Sequence, residues 1–150
     1  TGVGGARIIG KKIDDMAIGF EPGHQIIDFN AMTATDQGHQ GHLDDFVSGR
    51  AFENRFGQPA YEVTDEKIWQ ATSKIFAVGL YNTILHWSQE IIILGGSMMK
   101  SPGIQLETVK EELKALMRVF PSLPEVKRAE LGDQGGLYGG LAILREKTNF

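Results

Sequence analysis

Glu90-Ile91-Ile92-Ile93-Leu94-Gly95-Gly96 is the stretch around which the rest of the chain arranges itself. An unbroken aliphatic run of this length, closed by a glycine pair, reads as a fully buried strand ending in a glycine turn, the pattern of a central strand covered by helices. Before it lies the longest helix. Thr64 or Asp65 is placed to cap it, and Ile68, Trp69, Thr72, Ile75, Phe76, Leu80, Thr83, Ile84 and Trp87 recur at spacings of three and four. Glycine at position 79 costs about 1 kcal/mol relative to alanine inside a helix, so close packing against a neighbour is the expected reason for it. After the run, Ser101 is expected to cap a helix with Pro102 at its first position and Val109, Leu113, Leu116, Met117 and Phe120 as its inner stripe. One more strand is expected at 126–131. Beyond Gly132-Asp133-Gln134-Gly135-Gly136, a last helix is expected to carry Leu137, Leu141 and Leu144 inward.

Working toward the amino terminus, two short apolar runs at 3–9 and 13–18 flank Gly10-Lys11-Lys12, which predicts a β-hairpin. A third strand is expected at 25–28. The polar stretch 30–42 has almost no aliphatic residues and reads as an exposed, structured loop. A helix is read over 43–56 with Leu43, Phe46, Val47 and Ala51 on one face, ending at Gly57 and stopped by Pro59. The order is three strands, helices, strand, helix, strand, helix. That is an α/β domain with a mixed central sheet flanked by helices, in which the later strands run parallel. By analogy of fold alone it matches the ribonuclease-H-like lobe of the actin-like ATPase architecture. Residues 1–150 are read as a single domain.

Composition narrows the function classes. The chain has 150 residues, 41% of them apolar and 23% charged, with a formal net charge of -4. No apolar run approaches the roughly 18 to 20 residues needed to span a bilayer, so membrane insertion is not expected. Nucleic-acid affinity rests on clustered Lys and Arg, so an acidic balance argues against direct DNA binding by this segment. With no cysteine, disulfides and thiolate metal ligands are excluded. No charged-then-apolar leader is present and a cytoplasmic location is expected. The chain opens directly on Thr1-Gly2-Val3-Gly4-Gly5, which reads as a cut from a larger protein.

Four places carry residues suited to chemistry. Gly2-Val3-Gly4-Gly5 and Gly95-Gly96-Ser97 stand at strand ends, where glycine lets the backbone approach a phosphate or adenine. Taken alone, the first is as well explained by hairpin twist and the second by a strand-to-helix turn. Neither a Walker P-loop nor a Rossmann GxGxxG is present. Glu21-Pro22-Gly23-His24 puts a carboxylate and an imidazole at a tight turn, where both can point at one small ligand; both suit sugar hydroxyls, which donate and accept hydrogen bonds. A structural turn with a surface histidine explains it as well. Asp44 and Asp45 also fit a plain acidic first helical turn.

In order along the chain, Thr1-Gly2-Val3-Gly4-Gly5, Glu21-x-Gly23-His24, Gly41-His42-Leu43-Asp44-Asp45-Phe46-Val47-Ser48-Gly49-Arg50-Ala51, Leu94-Gly95-Gly96 and Gly136-Leu137-Tyr138-Gly139-Gly140-Leu141-Ala142 resemble the ROK family of sugar kinases and sugar-responsive repressors. The resemblance covers nearly the whole chain. It implies the C-terminal lobe of an ATP-dependent hexose kinase, with ATP and magnesium as cofactors, or the sugar-sensing domain of a transcriptional regulator. Thr1 and Gly2 would face the ATP phosphates, Gly95 and Gly96 the nucleotide, and Glu21, His24 and Asp44 the sugar. The family's general-base aspartate precedes the glycine hairpin, so an N-terminal lobe is expected upstream of Thr1, and the segment alone is expected to lack useful catalysis. A homodimer is implied as well.

The sequence departs from the family pattern in two places. Asp44 stands where a glutamate is usual. The family's zinc motif joins the ExGH histidine to three cysteines, whereas this chain reads Thr35-Asp36-Gln37-Gly38-His39-Gln40-Gly41-His42, with His42 at the last cysteine position. His24 and His42, with Asp36 or His39, are the candidates for a harder N/O metal site in its place; otherwise polar contacts hold the loop.

Overall fold

The computed structural model describes residues 2–14, 18–33 and 41–148. The hairpin is present but short. Strand β1 (Ile8–Ile9) pairs antiparallel with β2 (Lys12–Ile13), Ile8 opposite Ile13 and Ile9 opposite Lys12. Its two-residue turn, Gly10-Lys11, has both residues at positive φ (57° and 68°), the type I′ geometry whose twist matches the strands it joins. The Asp14 amide bonds back to the Arg7 carbonyl at 2.8 Å, and the two side chains form an ion pair beyond the paired residues. Residues 15–17 of the expected second strand lie outside the described residues, and among the described ones the next pairing is an isolated bridge between Gly5 and Phe20. Phe20 sits edge-on against Trp87, with ring centroids 4.7 Å apart, and this contact ties the amino-terminal segment to the end of the long helix.

The third expected strand reduces to one bridge, Ile26 with His42, flanked by Ile27 N–H to the Gly41 carbonyl (2.8 Å) and Leu43 N–H to the Gln25 carbonyl (2.9 Å). Part of the expected loop is helical instead. Helix α1 (Phe29–Thr33) begins where Asp28 Oδ1 accepts the Ala31 amide at 3.0 Å, a local cap that a polar sequence readily supplies. The single helix expected over 43–56 is two, α2 (Asp44–Val47) and α3 (Gly49–Phe56). Ser48 adopts an extended conformation and its hydroxyl accepts the Ala51 amide at 3.1 Å, so it caps a new helix rather than continuing the old one. Helix α3 ends at Gly57, whose φ of 70° few other residues adopt comfortably.

Helix α4 (Glu66–Trp87) is the spine of the fold. Asp65 caps it by accepting the Lys67 amide at 2.9 Å. Trp69 is buried, stacked on Phe52 with centroids 4.5 Å apart, and donates its indole N–H to the Val63 carbonyl at 2.6 Å. The glycine at 79 has the expected cause: a Cβ there would lie 2.9 Å from Leu43 Cδ1. Leu43, Val47, Phe52, Ile84, Val109 and Leu113 are almost completely buried and form the centre of one core.

Strand β3 (Ile91–Leu94) pairs in parallel with β4 (Glu125–Arg128), Ile91 opposite Glu125 and Leu94 opposite Arg128. This fits the expectation of parallel late strands, although β4 stops three residues short of 131. β3 is not fully buried. Leu94 is buried and Ile92 half-buried, but Ile91 is 44% and Ile93 63% exposed. Alternate residues of a strand point to opposite faces, and here one face is covered while the other is open.

Two helix expectations also fail. Ser101-Pro102 do not start a helix: the chain after β3 makes a short 3-10 turn (Ser97–Met99), folds back so that the Ile104 amide reaches the Met98 carbonyl (2.8 Å), and enters α5 (Leu106–Leu116) only after Gln105. Val109 and Leu113 are buried as expected, and Met117 and Phe120 pack on the core from beyond the helix end. Helix α6 (Gly135–Thr148) does not turn its leucines inward, since Leu137 is 77% and Leu144 61% exposed and Leu141 is exposed too. Their spacing marks one apolar face without specifying what covers it. A Lys12–Glu146 ion pair of 2.7 Å joins α6 to the hairpin. Among the described residues no helix is long and apolar enough to cross a membrane.

Candidate functional site

The Glu21-Pro22-Gly23-His24 segment forms a 3-10 turn (Pro22–His24) with Gly23 buried and Glu21 and His24 exposed at its two ends. Its backbone is held from three sides. The His24 amide closes the turn on the Glu21 carbonyl (3.1 Å), and the Gly23 amide donates to the Val3 carbonyl (3.0 Å). Gln25 Nε2 donates to the Pro22 carbonyl (2.7 Å) and to the Gly79 carbonyl in α4 (3.2 Å), while Asn82 Nδ2 donates to Gln25 Oε1 (2.9 Å). Gln25 and Asn82 therefore bolt the turn to the rigid spine. Neither was singled out in the sequence, because an ordinary Gln and Asn 57 positions apart give no signal of meeting.

Asp44 opens α2 and reaches across to the glycine hairpin. Its Oδ1 accepts the Val3 amide at 2.6 Å. The carboxylate lies so close that a Cβ on Gly2 would come within 2.6 Å of Asp44 Cγ, and a Cβ on Gly23 within 2.8 Å. Gly2, Gly23 and Asp44, from three separate motifs, thus meet at one point, with Val3 bonded to both flanking pieces. Asp45 does different work, accepting the His42 amide at 3.0 Å.

His24 and His42 also come together. Their Nδ1 atoms are 3.3 Å apart and their rings meet edge to face at 5.5 Å. The separation suits an N–H···N contact between one protonated and one bare Nδ1. It also equals the edge of a tetrahedron of nitrogens about 2.0–2.1 Å from a zinc ion, so the pair fits two corners of such a site. Among the described residues no group of three or more His, Cys, Asp or Glu gathers to complete it. Thr1, Asp36 and His39, the other sequence candidates, lie outside the described residues.

The second glycine turn, Gly95-Gly96, is exposed at the carboxyl end of β3, where ligands characteristically bind in open parallel sheets. A Cβ on Gly95 would meet Ala129 Cβ at 3.1 Å, so the turns following β3 and β4 run side by side. The loop beyond it is clasped by Arg128, whose guanidinium donates to the carbonyls of Met99 and Ile104, and by a Lys100–Asp133 ion pair of 2.7 Å. A cleft of about 270 Å³ beside it is lined in part by Lys100, Ser101, Gly103, Gln105 and Arg128. Arg128, at the end of β4, gave no signal in the sequence because its partners are backbone carbonyls.

Two glycine turns and an acid-histidine turn thus stand on one α/β scaffold, a combination that defines a family. The chain belongs to the ROK family, whose model matches residues 1–147. It is 26% identical to an N-acetyl-D-glucosamine kinase of Mannheimia succiniciproducens over 98% of this chain and 57% of that protein. It is 29% identical to the enzyme of the same name from Yersinia pseudotuberculosis over 73% of this chain and 41% of that one. Among solved structures, a ROK hexokinase from Thermus thermophilus superposes with a TM-score of 0.75 at 23% identity, covering 98% of this chain and 56% of the other. A ROK glucokinase from Streptomyces griseus, in complex with glucose and AMPPNP, gives 0.72 at 20% identity, covering 97% and 58%. The chain therefore has the α/β fold of ROK sugar kinases and spans a little over half the length of the proteins it matches most fully.

Proposed function

We propose that this chain is the C-terminal lobe of an ATP-dependent hexose kinase, bearing residues for both the sugar and the nucleotide. The observation that carries this reading is the meeting of Gly2-Val3, the Glu21–His24 turn and Asp44, which brings a glycine-rich segment against the turn that bears an exposed carboxylate and imidazole. Relatives of this chain named as N-acetylglucosamine kinases, and a neighbour holding glucose and AMPPNP, lend support.

In this reading Glu21 accepts a sugar hydroxyl and His24 donates to or accepts from a neighbouring one. Asp44 offers its remaining lone pairs to a third, since an ionised carboxylate has about four acceptor sites and Val3 uses one. Thr1 and Gly2 are assigned to the triphosphate side, and Gly95 and Gly96 offer the rest of the nucleotide an exposed backbone free of side-chain obstruction. Magnesium, when bound, neutralises charge on the transferring phosphoryl group. The sugar oxygen forms a bond to the γ-phosphorus as the bond to the ADP oxygen breaks, and the hydroxyl proton passes to a carboxylate. That base is assigned to a lobe preceding Thr1, so the 150-residue segment alone is expected to be inactive. An ion shared by His24 and His42 would be structural, bracing the loop beside the sugar. An enzyme drawing on ATP and free hexose belongs in the cytoplasm, and a homodimer is proposed as its working form.

The test is ATP-dependent phosphorylation of a hexose panel, glucose and N-acetylglucosamine included, by the full-length protein with and without Glu21→Ala. Losing a charge-assisted hydrogen bond of about 1.5–3 kcal/mol lowers kcat/KM roughly 10- to 100-fold. Turnover that Glu21→Ala leaves untouched would remove Glu21 from the sugar site. Saturable sugar binding without turnover on any hexose would instead identify the sugar-sensing domain of a transcriptional regulator.

A further inference from the structure

We infer that Asp44 is a positioning residue that couples the two substrate sites, transmitting the state of the sugar-facing turn to the phosphate-facing hairpin. The inference rests on the kinase reading above and goes beyond it, since a sugar contact by Asp44 does not require any link to the nucleotide.

The link is short and has no slack. Val3 is bonded at both ends of its own residue: its N–H donates to Asp44 Oδ1 (2.6 Å) and its carbonyl accepts the Gly23 amide (3.0 Å). Gly23 is the centre of the Glu21–His24 turn, and Val3 follows Gly2 in the glycine segment that precedes the hairpin. The carboxylate fills the space in which Gly2 and Gly23 would carry side chains, with a Cβ on either falling 2.6–2.8 Å from Asp44 Cγ. Displacing the turn when a sugar is gripped therefore moves Val3, Asp44 and Gly2 as a body. Packed groups in such contact rearrange together rather than deform gradually. Gln25 and Asn82 tie the same turn to α4, which leaves the contacts with Val3 and Asp44 as its link to the amino-terminal glycine segment. Aspartate, with its reach one methylene shorter than the glutamate usual in the family, fits this space.

Coupling between two ligands is reciprocal and measurable as the factor by which one changes the affinity of the other. The experiment measures binding of a non-hydrolysable ATP analogue to the full-length protein by calorimetry, with and without saturating glucose or N-acetylglucosamine. Asp44→Ala and Asp44→Asn are compared with the wild type. In the wild type the sugar is expected to tighten the analogue by about fivefold or more, the lower end of usual couplings. Asp44→Asn keeps an oxygen for the Val3 amide and is expected to bind sugar more weakly while retaining most of that factor. Asp44→Ala is expected to bring it close to one. Asp44→Ser, too short to reach Val3, replaces it if the alanine variant does not fold. A factor near one in the wild type, or one unchanged in Asp44→Ala or Asp44→Ser, overturns the inference while leaving the kinase reading intact. A wild type that binds neither sugar nor analogue overturns the kinase reading itself, and the inference with it.

Discussion

Leu43 lies across the backbone of α4 at Gly79, and this one contact sets two opposing effects against each other. Alanine at 79 gains about 1 kcal/mol in helix propensity. The added methyl drives into Leu43, a residue with almost no exposed surface, and overpacking of this kind costs about 1–3 kcal/mol. Gly79→Ala is therefore expected to be destabilising on balance, with a lower urea midpoint; an unchanged or higher midpoint would mean that Leu43 moves aside freely. Trp69 separates shape from polarity. Trp69→Phe keeps an aromatic ring against Phe52 but leaves the Val63 carbonyl without its donor. A loss of about 1–3 kcal/mol in the same unfolding measurement is expected. Both residues were legible as core in the sequence, Trp69 by its place in a three-four spacing and Gly79 by its propensity cost. The partner of each was not, because spacing reports which face is buried and not what lies against it.

The loop from Ser97 to Gln105 gives a prediction at the scale of an element. Arg128 closes it by holding the Met99 and Ile104 carbonyls, and the loop leads directly out of the Gly95-Gly96 turn. On the kinase reading proposed above, Arg128→Ala is expected to raise the KM for ATP severalfold in the full-length protein and leave the KM for sugar unchanged. Equal effects on both, or on neither, would argue that the clasp serves only the fold. Sequence reasoning succeeded for elements where local chemistry is decisive: α4 with its Asp65 cap, the hairpin with its Gly10-Lys11 turn, and the end of α3 at Gly57. It failed where one side chain or a fold-back redirects the backbone. Ser48 splits a helix that periodicity alone would continue, and the return of Ile104 to Met98 postpones α5 beyond Ser101-Pro102. At the candidate site, the positions of Glu21, His24 and Asp44 could be picked out along the chain. Their junction through Val3 could not, since it is made by backbone atoms that no residue type announces.

Across the whole molecule, apolar side chains are covered unevenly. The core between α4, α5 and the inner face of β3 is closed, whereas Ile8, Ile9, Ile91, Ile93, Leu137 and Leu144 are exposed. The 150-residue chain on its own is accordingly expected to bind a hydrophobic dye such as ANS and to show a mass that rises with concentration in sedimentation. With the proposed upstream lobe in place, the protein is expected to bind far less dye, with the proposed dimer as its limiting mass. Equal dye binding by both would mean that these surfaces stay open in the complete protein. The crowding of Gly2, Gly23 and Asp44 has a consequence on a longer timescale. A descendant that gains a side chain at either glycine while the carboxylate remains must place atoms where atoms already stand. The order of change is therefore restricted: position 44 has to shrink before position 2 or 23 can grow, and a lineage that has let them grow cannot readily restore the acid. Three sites scattered along the sequence would be expected to evolve as a single inherited character, traceable as a joint presence or joint loss among descendants.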